Sequence, residues 1–483
     1  MKQIVAIALL ALRNAFRSRF LLVLFGLLCA AAFLLPLAMR SDGTPEGLIR
    51  IHLAYTLGIA GFLLALASLW AGCAAVSQEA DEKTLQLLLV KPVPRLRIWL
   101  GKWLALLLIN AVFLALVGLV AAATLQHKLR HGGFTPAALD EARLTTLAAM
   151  ETFRAPLPDV SAAVRAEYNA LRTRRALPPD ISEKSALDSL RRAHLARLYS
   201  IPPNQSRTWT FALPPGPEPA TRTGESSGTR ASQSVLIRFK CDSSVPGAAE
   251  IDATLQLQAG ILDSAVEIRA MPGTLQNVIF RNFPAGARQA AVTFHNRGAR
   301  NATLFFAPAD GLVLRRNAGT FAGNYLRALA QLYLRLALFA AIGVTLGILF
   351  SMPVATFLSL VLILILQLSG FISAAAQVDR ATFVANVASF GGGHVHGDAE
   401  PAPPSLVARA TATVFFYAYR GTWLALRPLL ADRTLDDLAN GNYLPPRDLA
   451  RALLSQGVVI PLFLALLSTT VLRRREWALP QLN

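Results

Sequence analysis

Residues 77–95 read SQEADEKTLQLLLVKPVPR and lie between two long segments that contain no charged residue. These segments are Leu53–Val76 and Trp103–Leu125. Each is long enough for an apolar helix to cross a hydrocarbon core of about 30 Å, which takes about 20 residues. The stretch between them begins with acidic residues, continues with leucines and ends at prolines. The sequence therefore predicts two membrane spans joined by a short polar loop.

The composition indicates a membrane protein that carries one large aqueous segment. Of 483 residues, 54% are hydrophobic and only 16% are charged, whereas soluble domains carry about 25% charged residues. Charged residues are nearly absent from several windows of about 20 residues and have an ordinary frequency between about positions 126 and 324. Much of the net charge of +18 lies beside apolar segments, where Lys and Arg set topology and meet anionic lipid. Because the sequence has no RNA-binding or zinc-finger motif, we expect a lipid bilayer and no nucleic acid as the partner of this charge.

Six apolar segments predict an α-helical polytopic membrane protein with six transmembrane helices. The segments are Phe20–Met39, Leu53–Val76, Trp103–Leu125, Ala328–Phe350, Val354–Ala376 and Leu453–Leu472. No convincing cleavage site follows the first, so we interpret it as a retained span. Residues 4–19 precede it, either as an interfacial helix or as an extension of the span. In the fourth segment, Arg335 either snorkels to the interface or faces the bundle interior.

Small and polar residues inside the spans predict contacts between helices. Gly343 and Gly347 form a small-xxx-small pair, which suits close packing of the fourth span against a neighbour. Asn110, Gln367 and Ser369 are the polar candidates. Such residues either line a transport path or form hydrogen bonds from helix to helix, and the second use is the commoner one.

The distribution of Lys and Arg in short loops predicts the orientation of the chain. The N-terminal residues, the loop between the second and third spans, and the tail that begins at Arg473 are all basic. With six spans these three segments lie on one side. We therefore expect both termini in the cytoplasm and the chain in a bacterial plasma (inner) membrane. Residues 126–324 and 377–450 then lie outside, since long segments cross the membrane regardless of their charge.

The sequence divides into three parts. Residues 1–125 contain spans one to three and a cytoplasmic loop at 77–102. Residues 126–324 form an extracytoplasmic segment, and residues 325–483 contain the remaining spans. Residues 136–200 have a helical pattern, whereas 207–316 change to a period of two. In the run EIDATLQLQ, Ile251, Ala253, Leu255 and Leu257 alternate with polar residues. Several short strands of this kind, separated by turns, predict an α+β domain with a β-sandwich or jelly-roll part.

Residues 377–450 have a mixed composition. The run LVARATATVFFYAYRGTWLALRPLL at 406–430 is rich in aromatic residues but contains Arg409, Arg420 and Arg427. We interpret it as an amphipathic helix at the outer interface, because a seventh span would also place the Arg473 cluster on the wrong side.

The possible metal ligands form only weak patterns. His394 and His396, with Asp398 nearby, could ligate a metal ion, but they lack a further partner and fit a solvated loop better. The three cysteines, Cys29, Cys73 and Cys241, form no CxxC pair, which argues against a disulfide framework or a structural zinc site.

The loop at 77–102 has a pattern of its own. Leu85 and Leu88 follow helical spacing, and Pro92 ends the helix. Glu79 stands four residues before Lys83, as in an ion pair on a helix surface. A plain interfacial loop obeying the positive-inside rule would explain the basic residues but not the acidic ones. A helix with mixed charge and an apolar stripe is also suited to docking into a groove on another protein.

The run VSQEADEKTLQLLLVKPVPRLRIWLGKW at 76–103 resembles the signature between the second and third spans of type-2 ABC exporter permeases. It is most similar to the branch that includes permeases of nitrous-oxide-reductase maturation systems. The matching positions are Ser77, Glu79, Thr84, Leu85, Leu88, Leu89, Pro92, Val93, Arg95, Gly101 and Lys102, with Asp81 or Glu82 as the second acid. Lys83 replaces the family's glycine. The small members of the family lack a segment corresponding to 126–324.

The resemblance implies that this loop is a coupling helix that binds a separate ATP-hydrolysing subunit, and that two permease subunits pair as a homodimer or heterodimer. The implied coupling residues are Glu79, Asp81, Glu82, Thr84, Leu85, Leu88, Lys91, Pro92 and Arg95. The sequence contains no G-x-x-x-x-G-K-[ST] phosphate loop, so we expect ATP to bind to the partner and the chain itself to be neither an enzyme nor a cofactor protein.

Two other functions stay open at this point. A membrane-anchored extracytoplasmic binding or sensor protein would move no solute. A membrane-embedded enzyme fits less well, because the predicted spans lack clusters of ionisable residues.

Overall fold

The fold is described from a computed structural model of the chain. The structure describes residues 2–17, 19–38, 43–81, 93–174, 176, 183–214, 232–245, 250–284, 286–298, 302–367, 406–430 and 433–474. The described residues form two compact units. One contains most of the helices, and the other comprises Arg143–Phe321 together with Gly441–Tyr443.

Thirteen α-helices lie within the described residues, and one π-helical segment joins two of them. In chain order they are α1 Lys2–Arg17, α2 Arg19–Ala38, α3 Pro45–Asp81, α4 Arg95–His131, α5 Pro136–Thr145, α6 Ser161–Thr173, α7 Glu183–Leu198, α8 Phe321–Leu349, α9 Met352–Gln367, α10 Leu406–Leu430, α11 Thr434–Ala439, α12 Pro446–Ala452 and α13 Ile460–Arg474. The π-helical segment, Leu453–Val459, connects α12 to α13.

Four helical stretches among the described residues are long and apolar enough to cross a membrane. They are Pro45–Glu79, Arg95–His131, Phe321–Leu349 and Pro446–Arg474. Met352–Leu366 is a shorter apolar helix, and the rest of the predicted fifth span lies outside the described residues. The predicted first span coincides with α2, a helix of 20 residues. The chain is therefore a multi-pass helical membrane protein.

Glycines allow α3 and α8 to pack at backbone contact. A Cβ atom on Gly343 would lie 2.5 Å from the carbonyl oxygen of Leu69, and one on Gly347 would lie 2.5 Å from that of Cys73. Gly72 faces the same contact, since its Cβ would lie 2.8 Å from the backbone nitrogen of Val344. The predicted close packing at Gly343 and Gly347 is thus confirmed, and α3 is the neighbour.

Polar side chains also join neighbouring helices of this unit. The Ser68 hydroxyl donates to the Asn110 side-chain oxygen at 3.0 Å and lies 2.6 Å from the carbonyl oxygen of Leu64. The Trp103 indole N–H donates to the Ala337 carbonyl at 2.8 Å. Asn110 therefore makes the helix-to-helix bond that its position predicts.

Among the described residues, the second unit contains ten strands in two antiparallel sheets. The strands are β1 Ala148–Arg154, β2 Ser200–Ile201, β3 Ser206–Ala212, β4 Ser232–Ser243, β5 Ile251–Ala259, β6 Leu262–Ala270, β7 Leu275–Pro284, β8 Gln289–Asn296, β9 Leu304–Phe306 and β10 Leu312–Thr320. One sheet has the order β1-β10-β4-β9-β2, with β7 also paired to β4. The other has the order β3-β8-β5-β6.

Both sheets contribute side chains to one apolar core, as expected of a sandwich. Leu255 and Phe294 from one sheet and Phe239 and Leu314 from the other are fully or almost fully buried in it. The rings of Phe239 and Phe294 meet edge to face at 5.5 Å. The period-two pattern of Ile251–Ala259 and its neighbours correctly predicts these strands.

Part of the segment expected to be helical forms a strand instead. Residues 148–154 are β1, which pairs with β10 along its whole length. In this run the edge position and the partner strand decide the conformation, and helical propensity is overridden. The rest of the predicted helical part contains α5, α6 and α7.

A short piece of the chain from between α11 and α12 joins the second unit at the edge of β1. The Met150 backbone N–H donates to the Gly441 carbonyl at 2.8 Å, and the Tyr443 N–H donates to the Met150 carbonyl at 2.9 Å. Arg315 donates to the Asn442 side-chain oxygen at 2.8 Å. Gly441 has φ +69°, and a Cβ there would lie 2.6 Å from the Thr145 carbonyl oxygen, so this position needs glycine.

Candidate functional site

The candidate site is the base of the predicted coupling loop, where α3 ends at Asp81 and α4 begins at Arg95. Of the predicted coupling residues, Glu79 and Arg95 are described with their side chains, and Asp81 is the last residue of α3. Glu82, Thr84, Leu85, Leu88, Lys91 and Pro92 lie outside the described residues, as do His394 and His396. In the part of the chain that the structure describes, no group of three or more His, Cys, Asp or Glu residues could hold a metal ion.

An ion pair joins the two helices at the base of this loop. The Lys102 ammonium lies 2.6 Å from a carboxylate oxygen of Glu79, and the Lys102 side chain is only 3% exposed. The ammonium also donates to the Ala75 carbonyl at 2.5 Å. Ala75 and Glu79 are one turn apart on α3, so both oxygens face the same point on α4. The buried ammonium thus joins α4 to α3 close to both ends of the loop, and loss of either charge would leave the other one buried without a partner charge.

The contact with Lys102 is one that the spacing of the sequence does not predict. The spacing predicts that Glu79 pairs with Lys83 on the helix surface. The Glu79 carboxylate contacts Lys102 on the neighbouring helix and is 28% exposed, and the predicted pair with Lys83 stays a prediction because Lys83 lies outside the described residues. Spacing along one helix predicts an i, i+4 partner, but it gives no information on the helix that packs alongside.

The end of α3 is also bonded to α8. The Ser77 hydroxyl donates to the Gly347 carbonyl at 3.2 Å, and Ser77 is buried. Gly347 is one of the glycines that bring the two helices into backbone contact. The acceptor is therefore accessible because residue 347 has no side chain.

The beginning of α4 is bonded to α1. Arg97 donates to the Gln3 side-chain oxygen at 2.6 Å. Four residues later, a Cβ on Gly101 would lie 2.7 Å from the Cβ of Ile7 and 3.1 Å from the Ile4 carbonyl oxygen. Gly101 thus permits α1 to lie directly on the first two turns of α4.

A buried chain of hydrogen bonds connects α4, α8 and α13. The Trp99 indole N–H donates to the Thr345 hydroxyl at 3.3 Å, and the Ser468 hydroxyl donates to the same oxygen at 3.2 Å. All three side chains are at most 3% exposed. The sequence pattern did not single out these residues, since isolated Trp, Thr and Ser residues in apolar helices carry no signal of their partners.

The comparisons with known proteins bear on the first third of the chain. Residues 5–157 match the family model described as ABC-2 family transporter protein. The matched region contains the base of the loop, and the match supports an ABC-2 type permease, the membrane component of a transporter. A comparison with curated proteins gives no match.

Among solved structures, one match is the structure of TmCBM61 in complex with β-1,4-galactotriose, at 14% identity. It covers 24% of this chain and 69% of the other, with a TM-score of 0.16. A likeness at this score carries no inference about this chain.

Proposed function

We propose that this chain is the transmembrane permease subunit of an ABC transporter, and that residues 77–102 couple it to a separate ATP-hydrolysing subunit. The observation that carries the proposal is the buried Glu79–Lys102 pair at the base of the loop. It lies inside the region that matches the ABC-2 family, and it joins the two helices that flank the loop, both of which are long enough to span.

The loop residues have complementary parts in this proposal. Leu85 and Leu88 form the apolar stripe that enters a groove on the ATP-hydrolysing subunit. Asp81 and Glu82 supply negative charge beside the groove, while Thr84, Lys91, Pro92 and Arg95 complete the segment and return the chain to the membrane. ATP is bound and hydrolysed by the partner subunit, and no cofactor is held by this chain.

Movement of the loop would reach the spans through contacts described above. A displacement at residues 82–92 pulls on the ends of α3 and α4, which the Glu79–Lys102 pair keeps together. The Ser77–Gly347 bond passes it to α8, and the Trp99–Thr345–Ser468 chain passes it to α8 and α13. Packed helices shift as discrete units and do not deform continuously, so these contacts suit a two-state transport cycle.

The topology in this proposal has six spans, both termini in the cytoplasm and an inner-membrane location. The basic residues before α2, around the coupling loop and from Arg473 at the end of α13 support it. Residues 126–324 are then extracytoplasmic, and α10 lies at the outer interface. Two copies, or this chain and a related one, pair around the transport path. Export is the proposed direction, from the resemblance of residues 76–103 to the exporter signature.

The second unit either selects cargo or performs conformational work outside the membrane when ATP is hydrolysed. Its sheets share a single core, so it can move as one body. A rival proposal is that the chain is a membrane-anchored binding or sensor protein whose sandwich captures a ligand without transport. The aqueous sandwich alone is compatible with it, but it gives no role to the paired helix ends at the loop.

The test is to purify the native complex in mild detergent from cells that express the full chain with an affinity tag, and to identify its subunits by mass spectrometry. The proposal predicts a stoichiometric protein with a Walker A phosphate loop. A complex without any ATP-binding protein, which nevertheless binds an extracytoplasmic ligand, would favour the sensor function.

A further inference from the structure

A groove lies between the C-terminal turns of α8 and α13. Its volume is about 600 Å³, within the range of about 300–1,000 Å³ that is typical of small-molecule sites. The residues that line it are Leu349, Leu467, Thr470, Val471 and Arg474. These are the lining residues among those that the structure describes, and nothing in the proposed function requires the groove.

The lining has an apolar part and a cationic end. On α13, Leu467, Thr470, Val471 and Arg474 recur at intervals of three and four residues, so they form one stripe along the helix. The rise of about 1.5 Å per residue places the backbone of Arg474 about 10 Å beyond that of Leu467 along the helix axis. Leu349 faces this stripe from α8. A ligand that fits must carry an apolar chain and, about 10 Å away, a group that accepts from a guanidinium.

We propose that this groove binds one anionic phospholipid. An acyl chain packs on Leu349, Leu467 and Val471, and the phosphate accepts hydrogen bonds from the Arg474 guanidinium. Arginine suits this role because its planar guanidinium binds phosphate through two parallel hydrogen bonds and carries its charge at any physiological pH.

The position and exposure of the groove favour a lipid over a soluble phosphate. Helix α8 and the helical stretch Pro446–Arg474, which ends with α13, are long and apolar enough to span a membrane. The groove lies where both end, which is the depth at which lipid headgroups meet protein. Leu467 and Thr470 are exposed on the described surface, so a lipid can enter sideways. Three of the five lining side chains are apolar, which a free phosphate ion would not use.

The test measures lipid binding to the full-length protein, purified in detergent and delipidated, by native mass spectrometry. The probes are phosphatidylglycerol and phosphatidylcholine with the same acyl chains. Wild type is expected to bind phosphatidylglycerol more tightly than phosphatidylcholine. Arg474→Gln is expected to bind phosphatidylglycerol about fivefold more weakly than wild type, as expected for the loss of one cation near a headgroup. Leu467→Trp, which fills the apolar part, is expected to weaken binding of both lipids.

Arg473→Gln is the matched control. It removes the same charge one residue away, from a side chain that is exposed and is not among the residues that line the groove. It is expected to retain the wild-type preference. Equal losses in Arg473→Gln and Arg474→Gln would mean a diffuse basic surface and would overturn the proposal. So would equal binding of the two lipids by wild type, or unchanged binding in Leu467→Trp.

Inorganic phosphate distinguishes the two sources of the anion. Sodium phosphate is expected to displace no more phosphatidylglycerol than sodium chloride at equal ionic strength. Specific displacement by phosphate would assign the site to a soluble anion and overturn the lipid assignment. Size-exclusion profiles and melting temperatures close to wild type show that each variant is folded, so a loss of binding is read as a local effect.

Discussion

The Lys102 ammonium and the Glu79 carboxylate lie 2.6 Å apart, although 22 intervening residues separate them along the chain and the lysine is 3% exposed. Lysine side chains near the ends of spanning helices ordinarily reach outward to water. The Lys102 ammonium instead contacts two oxygens of α3, one from the Glu79 carboxylate and one from the Ala75 backbone carbonyl. The pair therefore defines where the loop begins and ends.

Removal of one partner should destabilise the protein strongly. Glu79→Gln leaves the buried ammonium without its counter-charge, and we expect a loss on the order of 3 kcal/mol, the lower end of the range for broken buried pairs because Glu79 is partly exposed. Glu79→Gln/Lys102→Met removes both charges and is expected to recover most of the loss. Thermal unfolding in detergent measures both. If the double variant melts no higher than the single one, the pair does not act as described.

Side chains at the glycine contact should separate α3 from α8. In Gly343→Val, the Cβ alone would lie 2.5 Å from the Leu69 carbonyl oxygen, so the two helix backbones must move apart. We expect this to cost about 1–3 kcal/mol or more, as for an overpacked core. Gly58→Ala on α3 is the control, since its Cβ would meet nothing within 4 Å, and alanine favours the helix. We expect a lower melting temperature for the first variant and an equal or higher one for the second.

The hydrogen-bond chain at Thr345 offers a further prediction. Thr345→Val keeps the shape but leaves the buried Trp99 N–H without its acceptor, which should cost about 1–3 kcal/mol. Thr469→Val is the matched change on α13, where the hydroxyl bonds to the Leu466 carbonyl within its own helix, and it should cost less. Equal shifts in melting temperature would show that Thr345 does not connect the helices.

The thiol in the sandwich core should resist modification. Burial, with a smaller effect from Asp242, raises the pKa of Cys241 from an ordinary 9.0 to about 12. The raised value favours the protonated folded state, so this stabilisation is complete below pH 9 and is lost as the pH rises toward 12. In a Cys29→Ala/Cys73→Ala background, we expect negligible labelling by iodoacetamide from pH 7 to 9.5 and rapid labelling in denaturant. Labelling of the folded protein at the rate of a free thiol would contradict this.

The strands of the sandwich could be predicted from the sequence because their signal is local. Ile251, Ala253, Leu255 and Leu257 alternate with polar neighbours, and all four are buried on the inner face of β5. The edge strand β1 could not be predicted from the sequence, since its conformation depends on β10, which is more than 150 residues away in the chain. Nor could the segment Gly441–Tyr443, which reaches β1 from a distant part of the chain.

The candidate site shows the same limit. The motif around Glu79 and Lys102 predicts a coupling role for residues 77–102, which stays a prediction, whereas apolar length correctly predicted the helices on either side. The partner of Glu79 and the bonds of Trp99 and Ser77 depend on which helices pack together. Glycine contacts such as Gly72 with Gly343 decide which helices pack together. A single sequence does not show which glycines meet.

The measurement that tests the central claim most directly is the amount of ATP-binding subunit that co-purifies with the chain when the loop's charge is reversed. Glu82→Lys is the informative change, because reversal of Glu79 would also break its contact with Lys102. Asp188→Lys, an exposed acid on α7 of the second unit, is the matched control. We predict at least a tenfold loss of the ATP-binding subunit for Glu82→Lys, about 1.4 kcal/mol of binding, and none for Asp188→Lys. Full retention in Glu82→Lys would contradict the coupling role of this loop.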